Sequence, residues 1–78
     1  MRMLPSALKR AGIDTADIGH VVRHAVAVIE QADGMSILLG ADPSGRFLEV
    51  GVVDMDGDDP RIIHGMPMRP KFLRYLRR

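Results

Sequence analysis

Three short apolar runs, each bordered by a turn-forming group, limit the fold more than any other feature of this chain. The runs are MSILLG at residues 35–40, RFLEVGVVD at 46–54 and RIIHGM at 61–66, and the groups between them are ADPSG and DMDGDDP. Short runs rich in strand formers with such separators are typical of antiparallel hairpins. We therefore predict consecutive hairpins that end at Pro67, because proline cannot donate to a sheet ladder.

The residues before these runs carry a helical pattern. Pro5 suits a first helical turn and Gly12 suits a helix end, so a short helix is predicted from Pro5 to about Ala11. A second helix is predicted after Asp14, a candidate N-cap, with Asp17 in the first turn, where acidic residues are favoured. Its apolar stripe consists of Ile18, Val21, Val22 and Ala25.

Two segments complete the predicted order of elements. AVIEQ at residues 27–31 fits either the end of the second helix or a first strand, and its β-branched residues favour the strand. Pro70 can open a short basic helix that uses Phe72, Leu73 and Leu76 as apolar contacts. We predict one α+β domain over 1–78, in which two N-terminal helices pack on one face of a three- to four-stranded antiparallel sheet and a short basic helix follows.

Composition excludes several classes of function. The chain has 78 residues, 46% of them apolar and 27% charged, which is ordinary for a small folded domain. It has no cysteine, so disulfides, thiolate metal sites and cysteine nucleophiles are excluded, and a reducing cytoplasm is the expected location. No apolar run approaches the length of a membrane span, so no membrane partner is predicted.

Charge is segregated along the chain although the net charge is only +1. Residues 35–60 contain one basic and six acidic side chains, whereas residues 61–78 contain six basic and none acidic. A concentrated positive field attracts phosphates or an acidic protein surface. The C-terminal segment is therefore either a binding surface or a solvated basic end.

Three stretches carry a resemblance to a known family. They are AGIDTADIGHVV at a helix start, RFLEVGVVD as a strand opened by an arginine, and RIIHGMPMRPKFLRYL as a strand leading into a basic segment. In this order they resemble the RelE/ParE superfamily of bacterial toxins, and within it the BrnT-type toxins. The resemblance implies a ribonuclease that cleaves messenger RNA, either free or on the ribosome, and forms a hetero-oligomer with a cognate antitoxin. Some relatives poison gyrase instead.

Only part of the family pattern carries over to this sequence. Arg46 fits the arginine that opens the strand, and Arg69, Lys71 and Arg74 fit the basic helix. His64 stands at a serine-like position of the family pattern. That pattern also has a glutamate in the last helix, whereas this sequence has no acidic residue after residue 59. The resemblance therefore assigns no role to His64.

Chemistry assigns candidate catalytic roles to His64 and Glu49. Metal-independent RNA cleavage needs a base for the 2′-hydroxyl, cations for the phosphate and an acid for the leaving oxygen. His64 can serve either proton role, or it is a strand histidine bonded to the backbone. Glu49 is the second proton-transfer candidate, or else a solvated carboxylate or a partner for Arg46. A hairpin closed about Asp56 and Gly57 would place Glu49 opposite His64, and a one-residue shift would place Val50 there.

The basic segment supplies the predicted RNA contacts. Arg69, Lys71 and Arg74 are the predicted phosphate clamp, with Arg69 stabilising the phosphate during the reaction. The resemblance adds Arg46 to the residues predicted to bind RNA. An acidic antitoxin would satisfy the same cations. Tyr75 can stack on a base or anchor the last helix.

Two groups of residues have spacings that suggest a metal site, but neither site is predicted. His20 and His24 are spaced i, i+4 and could share zinc with His64, but no HExxH glutamate accompanies them. Asp54, Asp56 and Asp58 start like a calcium loop, yet the glycine comes one position early and Gly65 occupies the twelfth position.

The sequence thus predicts an endoribonuclease without cofactor or metal. The alternative is a non-catalytic module of the same fold that docks an acidic protein or poisons a target such as gyrase.

Overall fold

A computed structural model describes residues 1–76. Its strands and helices are β1 (Arg2–Met3), a first 3-10 helix (Pro5–Leu8), α1 (Thr15–His24), β2 (Ala27–Glu30), β3 (Met35–Ala41), β4 (Phe47–Val53), β5 (Arg61–Pro67) and a C-terminal 3-10 helix (Pro70–Leu76). The predicted α+β class is confirmed, and so is the strand interpretation of AVIEQ.

The sheet has five strands in the order β1-β5-β4-β3-β2. Strands β2 to β5 are antiparallel, as predicted, but β1 pairs in parallel with β5, so the predicted count of three to four strands was wrong. β1 consists of only two residues, Arg2 and Met3, which lie beside Arg61 and Ile62. A strand of this length has no periodicity that a sequence could reveal.

The two N-terminal helices differ in regularity. At α1, Asp14 and Asp17 form a capping box: Asp14 Oδ1 accepts from the Asp17 amide at 2.9 Å and Asp17 Oδ2 accepts from the Asp14 amide at 3.0 Å. The first helix is a 3-10 helix that ends at Leu8, so the predicted extension to Ala11 was wrong. Ala7 is its only buried residue, which leaves little packing to stabilise further turns.

Helices cover both faces of the sheet, which corrects the predicted single helical layer. The first face packs against α1. The buried residues on this side include Ile18 and Val21 of α1 and, from the sheet, Leu38, Leu48, Val50, Val52 and Ile62. The second face packs against the C-terminal 3-10 helix through Ile29, Ile37, Leu39 and Phe72. Because Ile37 and Leu39 alternate with Leu38 along β3, the two clusters lie on opposite faces.

A bulge in β5 sets the register of the last hairpin. Gly51 pairs with His64 and Val52 pairs with Ile62, which leaves Ile63 as an extra residue. Glu49 therefore pairs with Met66, and neither register considered from the sequence was correct. Paired residues project to the same face, so His64, Glu49 and Met66 all lie on the second face.

Candidate functional site

Glu49 is the centre of a polar cluster on the second face of the sheet. It lies in the middle of β4 and its side chain is 0% exposed. A carboxylate in this position must be paired with cations and hydrogen-bond donors, since an unpaired buried charge is very unfavourable. Within residues 1–76, its two oxygens accept five hydrogen bonds, all from His64 and Arg69.

Arg69 provides four of these hydrogen bonds. Its backbone amide donates to Glu49 Oε2 at 2.9 Å, and its guanidinium Nη2 donates to Oε1 at 2.7 Å. Nε donates to both oxygens at 3.1 Å. The chain reaches this point because the amide of Met68 bonds to the Phe47 carbonyl, which extends the β4–β5 pairing past Pro67. Glu49 thus fixes the start of the C-terminal 3-10 helix on the sheet.

His64 contacts the same carboxylate from β5. Its Nε2 lies 3.0 Å from Glu49 Oε1, and its side chain is 31% exposed. The absence of a side chain at Gly51, its partner on β4, makes room for the imidazole. A Cβ atom at Gly51 would lie 2.9 Å from His64 Cβ and 3.0 Å from Met35 Sδ. Gly51 therefore helps to place His64 above the sheet.

The cluster keeps Glu49 ionised. Burial raises the pKa of the Glu49 carboxyl, but the hydrogen bonds from Arg69 and His64 outweigh burial and hold the pKa below its ordinary value of 4.5. The hydrogen bonds with Glu49 act in the opposite direction on Arg69: they raise the pKa of its guanidinium, which therefore remains charged.

This geometry divides the chemical roles within the cluster. Glu49 is inaccessible and its oxygens are already occupied, so it is suited to positioning rather than to proton transfer. When the Nε2–H of His64 donates to Glu49, the Nδ1 atom of the neutral imidazole carries the free lone pair. Within residues 1–76, that Nδ1 atom has no hydrogen-bond partner. His64 is therefore the residue of the cluster that can exchange a proton with a bound molecule.

Three of the predicted RNA-binding residues lie on the C-terminal 3-10 helix beside the cluster. Lys71, Arg74 and Tyr75 are all exposed there. Lys71 Nζ and Arg69 Cζ lie 5.1 and 5.5 Å from the centroid of the buried Phe72 ring. Arg74 lies 5.1 Å from the centroid of the Tyr75 ring and donates to its hydroxyl at 3.2 Å. Two exposed cations and one exposed aromatic ring thus lie on the helix that directly follows Arg69.

The fourth predicted contact, Arg46, is engaged elsewhere. Its Nε donates to Asp42 Oδ2 at 2.9 Å, and its Nη2 donates to the Gly12 carbonyl at 2.9 Å. Asp42 also accepts hydrogen bonds from the amide and hydroxyl of Ser44. The Ser44 hydroxyl bond, together with the other donors, lowers the pKa of Asp42 to about 2 despite its burial. In the described chain, Arg46 has no contact with the Glu49 cluster.

The histidines and aspartates with metal-like spacing make other contacts. His20 Nδ1 lies 2.9 Å from the Ala41 carbonyl, and its ring stacks at a tilt on His24 with centroids 4.6 Å apart. Asp54 closes the β4–β5 turn by accepting the Asp59 amide at 3.0 Å. Among residues 1–76, no three His, Asp or Glu side chains are grouped as a metal site would require.

Comparisons with family models, with curated proteins and with solved structures found no match to this chain. The resemblance to the RelE/ParE superfamily therefore stays a prediction.

Within the described residues, no helix has the length and hydropathy needed to cross a bilayer.

Two residues near the cluster could not be found from the sequence. Gly51 lies in an ordinary strand run, and its role depends on a cross-strand partner 13 positions away. Arg10 lies in the connection between the first 3-10 helix and α1, and its Nη2 is 3.9 Å from Met66 Sδ, 56 positions later. Only the folded topology brings Gly51 beside His64 and Arg10 beside Met66.

Proposed function

We propose that this chain is an endoribonuclease that cleaves messenger RNA with its own side chains, as the toxin of a toxin–antitoxin pair. One observation carries the proposal: a partly exposed histidine and arginine share one buried carboxylate, beside an exposed row of cations. The sequence resemblance to BrnT-type toxins supports the biological role. An acidic antitoxin would be the partner that covers the cations.

His64 acts as the general base in this proposal. Its Nδ1 atom removes the proton of a 2′-hydroxyl, and the 2′-oxygen attacks the adjacent phosphorus. The P–O5′ bond breaks and the 5′-oxygen takes a proton from water, whose hydroxide takes up the proton held by His64 and restores the neutral imidazole. The products are a 2′,3′-cyclic phosphate and a 5′-hydroxyl. Glu49 holds the imidazole in the required tautomer and stabilises the imidazolium that forms.

Arg69 stabilises the phosphate as negative charge develops on its oxygens. Its Nε and Nη2 atoms are held by Glu49, and its side chain is 44% exposed. A guanidinium fixed in this way needs little reorganisation to contact a phosphate, which is the condition for effective electrostatic stabilisation. Lys71 and Arg74 bind neighbouring phosphates, and Tyr75 stacks on a base.

Expression in bacteria tests the biological role. We expect the wild-type chain to arrest growth and shorten transcripts, and an adjacent antitoxin gene to relieve the arrest. The His64→Ala chain, expressed to the same level, serves as the matched control and should permit growth. The readouts are growth rate, protein level and transcript length. Strong wild-type expression with normal growth and intact transcripts would contradict the toxin assignment.

A second candidate function is favoured by a specific contact. Because Arg69 uses its amide, Nε and Nη2 on Glu49, the cluster is also suited to fixing a rigid basic surface. In this alternative, the C-terminal 3-10 helix docks an acidic protein or blocks a target such as gyrase without catalysis. Replacing Lys71 and Arg74 would then abolish the effect on growth, whereas His64→Ala would leave it unchanged.

A further inference from the structure

The outer edge of β5 is only partly covered by β1. β1 lies beside Arg61 and Ile62, and beyond them the first 3-10 helix lies against β5. Ser6 Oγ donates to the Ile63 carbonyl at 2.7 Å, and four residues later Arg10 reaches Met66 with Nη2 3.9 Å from Sδ. The topology therefore carries Arg10 around the sheet edge to the strand that bears His64.

Met66 places Arg10 next to the candidate site. Met66 is the direct partner of Glu49 on β4 and lies two residues after His64 on β5. Residues separated by two positions in a strand project to the same face, roughly 7 Å apart along the backbone. The Arg10 guanidinium is thus beside the cluster, on the β5 side, while the C-terminal 3-10 helix follows from Arg69.

Arg10 is not neutralised within the described chain. Four other arginines form salt bridges there: Arg2 and Arg61 with Asp59, Arg46 with Asp42 and Arg69 with Glu49. In residues 1–76, no carboxylate lies within salt-bridge distance of Arg10. The side-chain atom that its guanidinium contacts there is the uncharged sulfur of Met66. Its charge and most of its donors remain available to an anion.

We infer that Arg10 binds a second phosphate of the RNA, next to the phosphate held at His64 and Arg69. The inference rests on the proposed function and extends it, because it makes the substrate a chain of several nucleotides whose phosphates cross β5. A mononucleotide would contact one side of the cluster only.

Salt-dependent binding of a labelled single-stranded RNA tests the inference. The measurements use the full chain with His64→Ala, so that the RNA stays intact, with and without Arg10→Gln. Each phosphate contact to a single strand contributes about 0.7 to the slope of log affinity against log salt. We expect Arg10→Gln to lower the slope by about this amount, equivalent to about fivefold weaker binding at 0.1 M salt. Arg10→Lys should retain most of the slope.

Arg23→Gln is the matched control. Arg23 is exposed on α1, which packs on the opposite face, and its replacement changes the net charge equally. The slope should stay at the parent value in this variant. Equal slopes for the Arg10→Gln chain and its parent, or equal losses for Arg10→Gln and Arg23→Gln, would overturn the inference. If RNA is still cleaved by wild type and not by His64→Ala, the proposed function survives that result. Absence of any RNA binding by the parent would overturn both.

Discussion

Replacing His64 by alanine is expected to slow RNA cleavage by about 10²- to 10⁴-fold, the usual contribution of a general acid–base group. RNA affinity should change little, because proton transfer stabilises the transition state and not the bound ground state. The measurement is single-turnover cleavage of one labelled RNA at saturating protein, together with an independent binding titration. The loss should appear in the rate at saturation.

His24→Ala is the control for this prediction, since His24 is exposed on α1 and away from the second face. Its cleavage rate should equal the wild-type rate. The melting temperature of each variant separates catalysis from folding. An His64→Ala protein that melts early but cleaves at the wild-type rate, once corrected for its folded fraction, would remove His64 from the mechanism.

Replacing Glu49 by glutamine is expected to destabilise the fold, because Glu49 is buried and its carboxylate accepts hydrogen bonds from two cationic partners. The amide is nearly isosteric, but its NH₂ group opposes the donors of Arg69 and His64 that the carboxylate accepts. A hydrogen bond to a charged group is worth about 1.5 to 3 kcal/mol. Since both partners are partly exposed, we expect a net loss of about 2 kcal/mol. For 78 residues, the total free energy of unfolding is roughly 4 to 12 kcal/mol.

The loss should depend on pH in a defined direction. The pKa of Glu49 in the folded state lies below its ordinary value of 4.5. The contribution of the Glu49 carboxylate to the free energy of unfolding is therefore complete above pH 4.5 and disappears as the pH falls through the folded-state pKa. The difference in unfolding free energy between wild type and Glu49→Gln should therefore narrow below pH 4.5. Asp42 also loses stabilising charge in acid, but equally in both proteins, so the difference isolates Glu49.

Urea unfolding at a series of pH values provides the measurement, and Glu30→Gln provides the control. Glu30 is exposed on β2, so its replacement should change stability by less than about 0.5 kcal/mol at each pH. A difference between wild type and Glu49→Gln that stays constant from neutral to acid pH would contradict the charge-based account of the cluster.

Local features of the fold were predictable because their causes are local. Asp14 caps α1 and Asp17 lies in its first turn, as predicted, and β3 and β4 occupy the predicted runs within one residue at each end. The opposite-face packing of the C-terminal 3-10 helix was not predictable, since it depends on where Phe72 meets Leu39 and Ile37. The parallel pairing of β1 with β5 likewise joins residues about 59 positions apart.

The candidate site was predictable in its members but not in its geometry. His64, Glu49 and Arg69 were selected by residue type, and the structure brings them together. The bulge at Ile63 shifts the register so that His64 pairs with Gly51 and lies on the same face as Glu49, diagonal to it; without the bulge His64 would pair with Val50. Glu49 is buried because of the packing on the second face, and the periodicity of the sequence does not reveal that packing. The division of roles between Glu49 and His64 depends on this burial.

The most direct test of the account is incubation of the folded wild-type protein with one labelled single-stranded RNA in EDTA. Chelation removes free divalent metal but leaves His64, Glu49 and Arg69 unchanged, so cleavage should proceed at the same rate as without EDTA. The products should carry 2′,3′-cyclic phosphate and 5′-hydroxyl ends, and a 2′-deoxy substitution at the cleaved nucleotide should stop the reaction. RNA that stays intact with folded protein in excess, or cleavage that requires added metal, would contradict the account.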